Sequence, residues 1–346
     1  MRRSGVALRA AAALLALAAA TLGWARPASA CAACGNPTLP QTTRGVGTLA
    51  DGAWVLGASV QTMPLYVTHD AGCADVTQCD ETPVQPLHEH RVLLVPTELN
   101  LHAEYGFGDG WAVEGDLPFR AVVSRVSYAL ADGTDYTPVD AGTHHRDETV
   151  AGLADGGLSL RRTLRASGWW WSLRLGATLP LGATEPNPFE LGDAGKRHQH
   201  IQLGTGVVAP SFGVAATRGG RSTQVTGYAT LTQPLYANRR GFEPGGRALG
   251  GVSVGYKARP GWLVSGLAEG AWEGPERWDG EVREDGMTGL AEVRVGASVQ
   301  WRNDRVGVGA TLRTPVWRYI VPGDEAPGEV LSPVSLALSV DWAPGR

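Results

Sequence analysis

The chain has 346 residues, 18% of them charged and 43% hydrophobic, with 47 glycines, 12 tryptophans and a formal net charge of −4. The charged share lies below the roughly 25% usual for a soluble domain, and a mean hydropathy of −0.11 excludes a bundle of apolar membrane helices. The acidic balance excludes nucleic acid as the partner, because such a binder carries a basic face.

In chain order, Arg2 and Arg3 come first, then an apolar run from Ala10 to Leu22, then Ala28-Ser29-Ala30. A positive start, a short apolar stretch and a small-residue cleavage site make 1–30 a secretory signal peptide. The run is too short for a permanent helical anchor, which needs about 20 residues. Without residues 1–30 the chain keeps 26 Lys+Arg and 34 Asp+Glu, a net charge of −8. Lysine occurs only at Lys196 and Lys257, so arginine carries nearly all the positive charge.

Residues 31–50 form a periplasmic N-terminal segment that opens on Cys31-Ala32-Ala33-Cys34-Gly35. A C-x-x-C pair serves as a disulfide, a redox pair or half of a metal site. Gly35 stands where a haem-attachment motif needs histidine. Cys31 also occupies the position lipidated in lipoproteins, although Ala28 replaces the leucine usual in that motif.

After the signal no apolar run is long enough for a helical span, so the spanning solution left is a closed barrel with every backbone group paired. Residues 51–346 carry its signature, period-two alternation broken by turns. Leu93, Val95, Leu99, Leu101 and Tyr105 alternate with Glu98, His102 and Glu104. Trp111, Val113, Leu117 and Phe119 alternate with Glu114, Asp116 and Arg120. Further segments run from Trp169, Ala291, Val306 and Val334, and weaker ones begin near Trp54, Gly156, Thr205, Ser222, Gly251 and Trp262. The fold class is therefore all-β: an antiparallel transmembrane β-barrel of outer-membrane type with about twelve strands. Connections near 106–110, 166–168, 218–221, 259–261 and 302–304 are tight, and those near 69–90, 124–150, 183–203, 237–247, 273–287 and 319–329 are long. Tight turns face the periplasm in such barrels and long loops face outward. Pro96, Pro118, Pro180 and Pro210 fall in or beside strands and mark bulges or strand ends, since proline donates no ladder hydrogen bond.

With the apolar face in lipid, the lumen receives Glu98, His102, Glu104, Glu114, Asp116, Arg120, Arg161, Arg174, Glu269, Glu292, Arg294 and Arg313. Opposed charges across a water-filled pore tune selectivity; paired within a narrow barrel they plug it. Neither a G-x-S-x-G elbow nor an H-E-x-x-H helix is present, and nothing marks a nucleophile-base pair, so the chain reads as no enzyme.

Three close histidine pairs, His88/His90, His144/His145 and His198/His200, fall in or beside the first three long loops. Those loops share a rim, and imidazole is a ligand for zinc, copper, nickel or iron. Copper and zinc are the ions considered for that set and for Cys31/Cys34. The competing reading leaves the loop histidines bonded to carbonyls or water. Cys73 and Cys79, in the first long loop of an exported chain, pair as a disulfide.

Gly152-Leu153-Ala154-Asp155-Gly156-Gly157-Leu158 resembles the G-L-G-D-x-x-L segment of the outer-membrane transporter family named for the meta pathway of phenol degradation. Leu117-Pro118-Phe119, Leu179-Pro180-Leu181-Gly182 and Leu203-Gly204-Thr205-Gly206 resemble its other segments, and the likeness spans roughly residues 90–345. It implies an outer-membrane barrel passing small, often apolar organic compounds. The cysteine pairs and the histidine loops around Asn187-Pro188-Phe189 depart from that pattern.

The reading is thus an outer-membrane channel or transporter for small solutes. Its partners are outer-membrane lipid, the solute and, during biogenesis, the barrel-assembly machinery. The alternatives are a copper- or zinc-binding pore or receptor with the histidine loops as its mouth, and a plugged structural barrel.

Overall fold

The computed structural model describes residues 28–29, 49–78, 84–139, 141–283, 286, 288–321 and 329–344. Apart from Ala28–Ser29, which pairs with Glu329 and Val330, the expected signal peptide lies outside these residues, as do Cys31 and Cys34.

Twelve antiparallel strands form a closed wall. They are β1 (Trp54–Thr62), β2 (His88–Gly106), β3 (Trp111–Leu130), β4 (Gly156–Ala166), β5 (Trp169–Leu179), β6 (Ala209–Gly219), β7 (Thr223–Thr232), β8 (Arg247–Arg259), β9 (Trp262–Glu273), β10 (Leu290–Arg302), β11 (Val306–Ile320) and β12 (Ser335–Trp342). Closure comes where β12 pairs with β1, from Leu336↔Thr62 to Trp342↔Leu56. A closed wall satisfies every strand edge, which lipid demands.

At one end the strands join through tight turns built on left-handed residues. Gly110 has φ +76°, and a Cβ there would stand 2.2 Å from the Thr163 carbonyl oxygen; only glycine combines that backbone with that approach. At the other end the connections are long, and the strands begin and end differently from the sequence expectation. Cross-strand pairing carries Leu65–Ala71 and β2 through Asp70↔Glu89 and Ala71↔His88, which confines the first loop to 72–87. Strand β6 starts at Ala209 rather than near Thr205, because Gly206 has φ +71° and Thr205 is tied elsewhere, as described below.

Leu99, Leu101, Val113, Leu117, Leu173, Val254, Val299 and Leu338 point outward and are exposed, forming the apolar belt. Trp54, Trp111, Trp262 and Trp342 stand at the turn end, and Trp272, Trp317 and Tyr319 nearer the loop end. Along β9, Trp262 and Trp272 are about 34 Å apart, or about 26 Å across the membrane at a ~40° strand tilt. That matches the roughly 25 Å apolar band of an outer-membrane barrel.

β2 and β3 have 19 and 20 residues, about 65 Å at the usual rise, so they project well past the belt. Met63–Pro64 interrupts the ladder beside β2, where the Met63 N–H donates to the Pro96 carbonyl at 3.2 Å. Ala154–Asp155 interrupts it beside β3, where the Ala154 N–H donates to the Pro118 carbonyl at 2.9 Å. Both prolines thus sit where a neighbouring strand breaks and the wall bends. Above the break Glu148–Leu153 takes over from β4 as the partner of β3.

The interior is layered. Near the turns it is charged. Above, Met63, Leu65, Val67, Val92, Leu94, Val122, Ile201, Ile320 and Val330 form a buried apolar cluster. Ile201 belongs to the long loop 180–208, which folds inward and holds helix α1 (Pro188–Asp193). Asn187 caps α1 by accepting from the Phe189 and Glu190 N–H groups, and Pro188 opens it. Phe189 then packs with Phe242 and Trp278, which lie on a small two-stranded sheet of Phe242–Glu243 and Arg277–Trp278.

Candidate functional site

The lumen charges form linked groups. Glu114 on β3 meets Arg161 and, at 2.9 Å, Arg174 Nε; Arg161 also reaches Glu104 at 2.8 Å. Arg120 donates to Glu98 from Nε and Nη2 at 3.0 and 2.8 Å. Asn100 donates to Asp116 at 2.9 Å, and His102 lies 2.9 Å from Asp341. On the opposite wall Arg313 Nε donates to Glu269 at 2.7 Å, and the Tyr228 hydroxyl donates to the same carboxylate. Glu292 receives Arg318 at 2.8 Å and Arg294. Glu114, Arg161, Glu269 and Glu292 are almost fully buried, and charge of that kind persists only when paired.

Arg318 escaped the sequence reading. It lies five residues after Arg313, an odd spacing that should send the two to opposite faces. The ladder shows why both face inward: Val293 pairs with Trp317 and Arg294 with Pro315. Val316 is the extra residue of a β-bulge and resets the alternation; Pro315 was the visible signal. The inward apolar layer was also missed. In Arg91-Val92-Leu93-Leu94-Val95 both faces are apolar, so alternation could not reveal that Val92 and Leu94 point inside.

All six loop-associated histidines converge at the loop end, joined by His69, which the sequence reading did not single out. His69 sits opposite His90 in the ladder, and its Nε2 lies 3.1 Å from His145 Nε2. His69, His90 and His145 have ring nitrogens within 4.8 Å of one another, and so do those of His144, His198 and His200. His144 and His145 stack at a centroid separation of 4.0 Å and join the sets. His88 is adjacent, with Nε2 3.0 Å from His90 Nε2 and Nδ1 2.7 Å from the Pro86 carbonyl. Pro86 bridges to Cys73, which is disulfide-bonded; its expected partner Cys79 lies outside the described residues. His102 is the eighth histidine and stays in the lumen.

Burial pushes the His145 imidazole well below its usual range, with the neighbouring His144 the next cause. Burial followed by His144 does the same to His200. Both rings are therefore neutral at pH 7. A small pocket lined by Val92, Leu94, Ser124, His144, His145 and His200 joins the histidines to the apolar layer below.

The glycine-rich segments meet in one knot beside this cluster. Asp155 accepts from the Gly182 N–H at 3.1 Å, the Thr205 N–H at 2.7 Å and the Thr205 hydroxyl at 2.5 Å. Gly204 lies against Gly182, and a Cβ on it would stand 2.5 Å from the Gly182 carbonyl oxygen. One carboxylate on the wall thus pins both ends of the inward loop.

No family model and no curated protein sequence matches the chain. Among solved structures, an outer membrane channel from Pseudomonas putida F1 is similar, with 14% identity and a TM-score of 0.54 over 88% of this chain and 100% of that one. The toluene transporter TodX of P. putida overlays at 9% identity and a TM-score of 0.42, over 86% and 91%. A FadL homologue of Pseudomonas aeruginosa overlays at 8% and 0.40, over 92% and 99%. The first likeness gives the fold, that of an outer-membrane barrel. The apolar belt and the closed twelve-strand wall set the chain in the bacterial outer membrane.

Proposed function

We propose that the chain is an outer-membrane channel for small solutes, with small apolar organic compounds as the favoured class, and that it belongs with the transporters named for the meta pathway of phenol degradation. The observation carrying this reading is the layered interior. The water-filled lumen of a porin is polar, whereas here Val67, Val92, Leu94, Val122 and Ile201 form an apolar layer between the histidines and the lumen charges. A solute with little polar surface meets no desolvation cost in that layer. The knot of Asp155, Gly182 and Thr205 supports the family, because it gives three of the quoted segments one shared task.

The test has two arms. Uptake of the apolar dye N-phenyl-1-naphthylamine is followed in intact cells producing the protein or Leu94→Asp, beside single-channel recording of the purified barrel in a planar bilayer. Faster dye uptake, lost in Leu94→Asp, supports the reading. Dye uptake equal to that of cells without the protein refutes the apolar class; large ohmic openings then indicate a general porin, and silence a plugged scaffold.

A further inference from the structure

Seven imidazoles from four separate chain segments gather at the loop end of this barrel, and neither the belt nor the lumen network requires them there. We propose that His69, His90 and His145 bind one transition-metal ion of the zinc or copper class, and that His144, His198 and His200 bind a second.

The donor chemistry selects the ion. Calcium and magnesium take oxygen ligands, whereas both sets consist of imidazoles alone, which suit zinc, copper and nickel. Around a tetrahedral zinc with bonds of about 2.0 Å, ligand nitrogens stand about 3.3 Å apart. His69 Nε2 and His145 Nε2 are already 3.1 Å apart, and the ligand nitrogens of each set all lie within 4.8 Å of one another, so small ring rotations close the set on an ion.

The surroundings orient the rings as outer partners do in metal sites, where the second ring nitrogen donates to a carbonyl. His198 Nδ1 lies 2.9 Å from the Lys196 carbonyl, which leaves Nε2 with its lone pair for a metal. His88 has the same arrangement through Pro86, beside His90, and is placed to be a fourth ligand of the first set. His200 Nε2 is buried without a hydrogen-bond partner among the described residues, an arrangement that is costly unless something fills it. A metal ion supplies that partner.

The two ions would fasten together the Leu65–Ala71 strand, the start of β2, the loop 131–147 and the inward loop 180–208, directly over the apolar layer. The site stands whether or not the lumen conducts, since bound metal is counted without any transport.

The test uses the whole mature protein, purified in detergent through a tag free of histidine, stripped with EDTA, dialysed against zinc and analysed by elemental mass spectrometry. Two zinc ions per chain are expected for the parent and for His102→Ala, one each for His69→Ala and His200→Ala, and none for the double variant. Heat-modifiable migration on a gel checks that each variant is folded. X-ray absorption on the zinc-loaded parent gives an answer independent of any variant, with imidazole nitrogens at about 2.0 Å expected. A parent that retains no zinc, a folded double variant that still holds two, or a shell of oxygen alone overturns the proposal.

Discussion

His144 and His145 are chain neighbours with rings stacked 4.0 Å apart, yet each belongs to a different set of three imidazoles. A stacked pair shared this way brings the two proposed ions close together. Loading the protein with copper(II) should give an electron paramagnetic resonance spectrum broadened by dipolar coupling. In His144→Ala one ion is lost and the signal should sharpen to that of an isolated copper. A sharp spectrum from the fully loaded parent would show that the sets do not act as neighbours.

Asp155 gives a second prediction. Its carboxylate accepts three hydrogen bonds that fix both ends of the inward loop, and bonds to a charged group are worth about 1.5–3 kcal/mol each. Asp155→Ala should release the loop while the wall stays closed. Limited proteolysis of the folded barrel should then cut within 183–203 at least tenfold faster than in the parent. Gly204→Ala should behave alike, because its Cβ meets the Gly182 carbonyl and the Asp155 carboxylate.

Much of this was legible beforehand, and the failures have physical causes. Alternation identifies a strand wherever one face is polar and the other apolar, as from Trp111 to Arg120. It is blind where both faces are apolar, so Val92 and Leu94 went unread as lining. A bulge is a single residue, Val316, and parity arguments fail beyond it, which hid Arg318. His69 carried no local signal; it joins the cluster through a ladder whose register depends on a turn at 72–87. The segments around Asp155, Gly182 and Thr205 could be matched as motifs, but their mutual contact required the fold.

The Val316 bulge is itself testable. Deleting Val316 removes only the extra residue: Trp317 then follows Pro315 opposite Val293, and Arg318 stays opposite Glu292. Deleting Val316 and Trp317 together instead shifts the rest of β11 by one residue and exchanges its faces. That sends Arg318 from Glu292 to lipid, at a cost of about 2–4 kcal/mol near the midplane and less toward the interface. Urea unfolding of the barrel in detergent should show that loss for the double deletion and not for the single one. Adding Arg318→Leu to the double deletion should recover much of it.

For the lumen, Glu114 is the carboxylate shared by Arg161 and Arg174. Glu114→Gln removes it and should destabilise the barrel by about 3–5 kcal/mol, the usual cost of breaking a buried ion pair. If the lumen conducts, the reversal potential in a potassium chloride gradient should move toward the chloride value, and Glu114→Gln with Arg174→Gln should move it back. An unchanged potential in both variants would place these charges outside the ion path.

Scarce lysine makes this molecule its own compass. Lys196 is exposed on the inward-folding loop, while Lys257 is exposed at the tight-turn end, where its Nζ donates to the Gly220 carbonyl. Side-chain amines thus mark the two sides of the membrane, one apiece. An amine reagent that cannot cross the membrane, applied to whole cells, reads the orientation of the barrel from which of the two lysines it modifies.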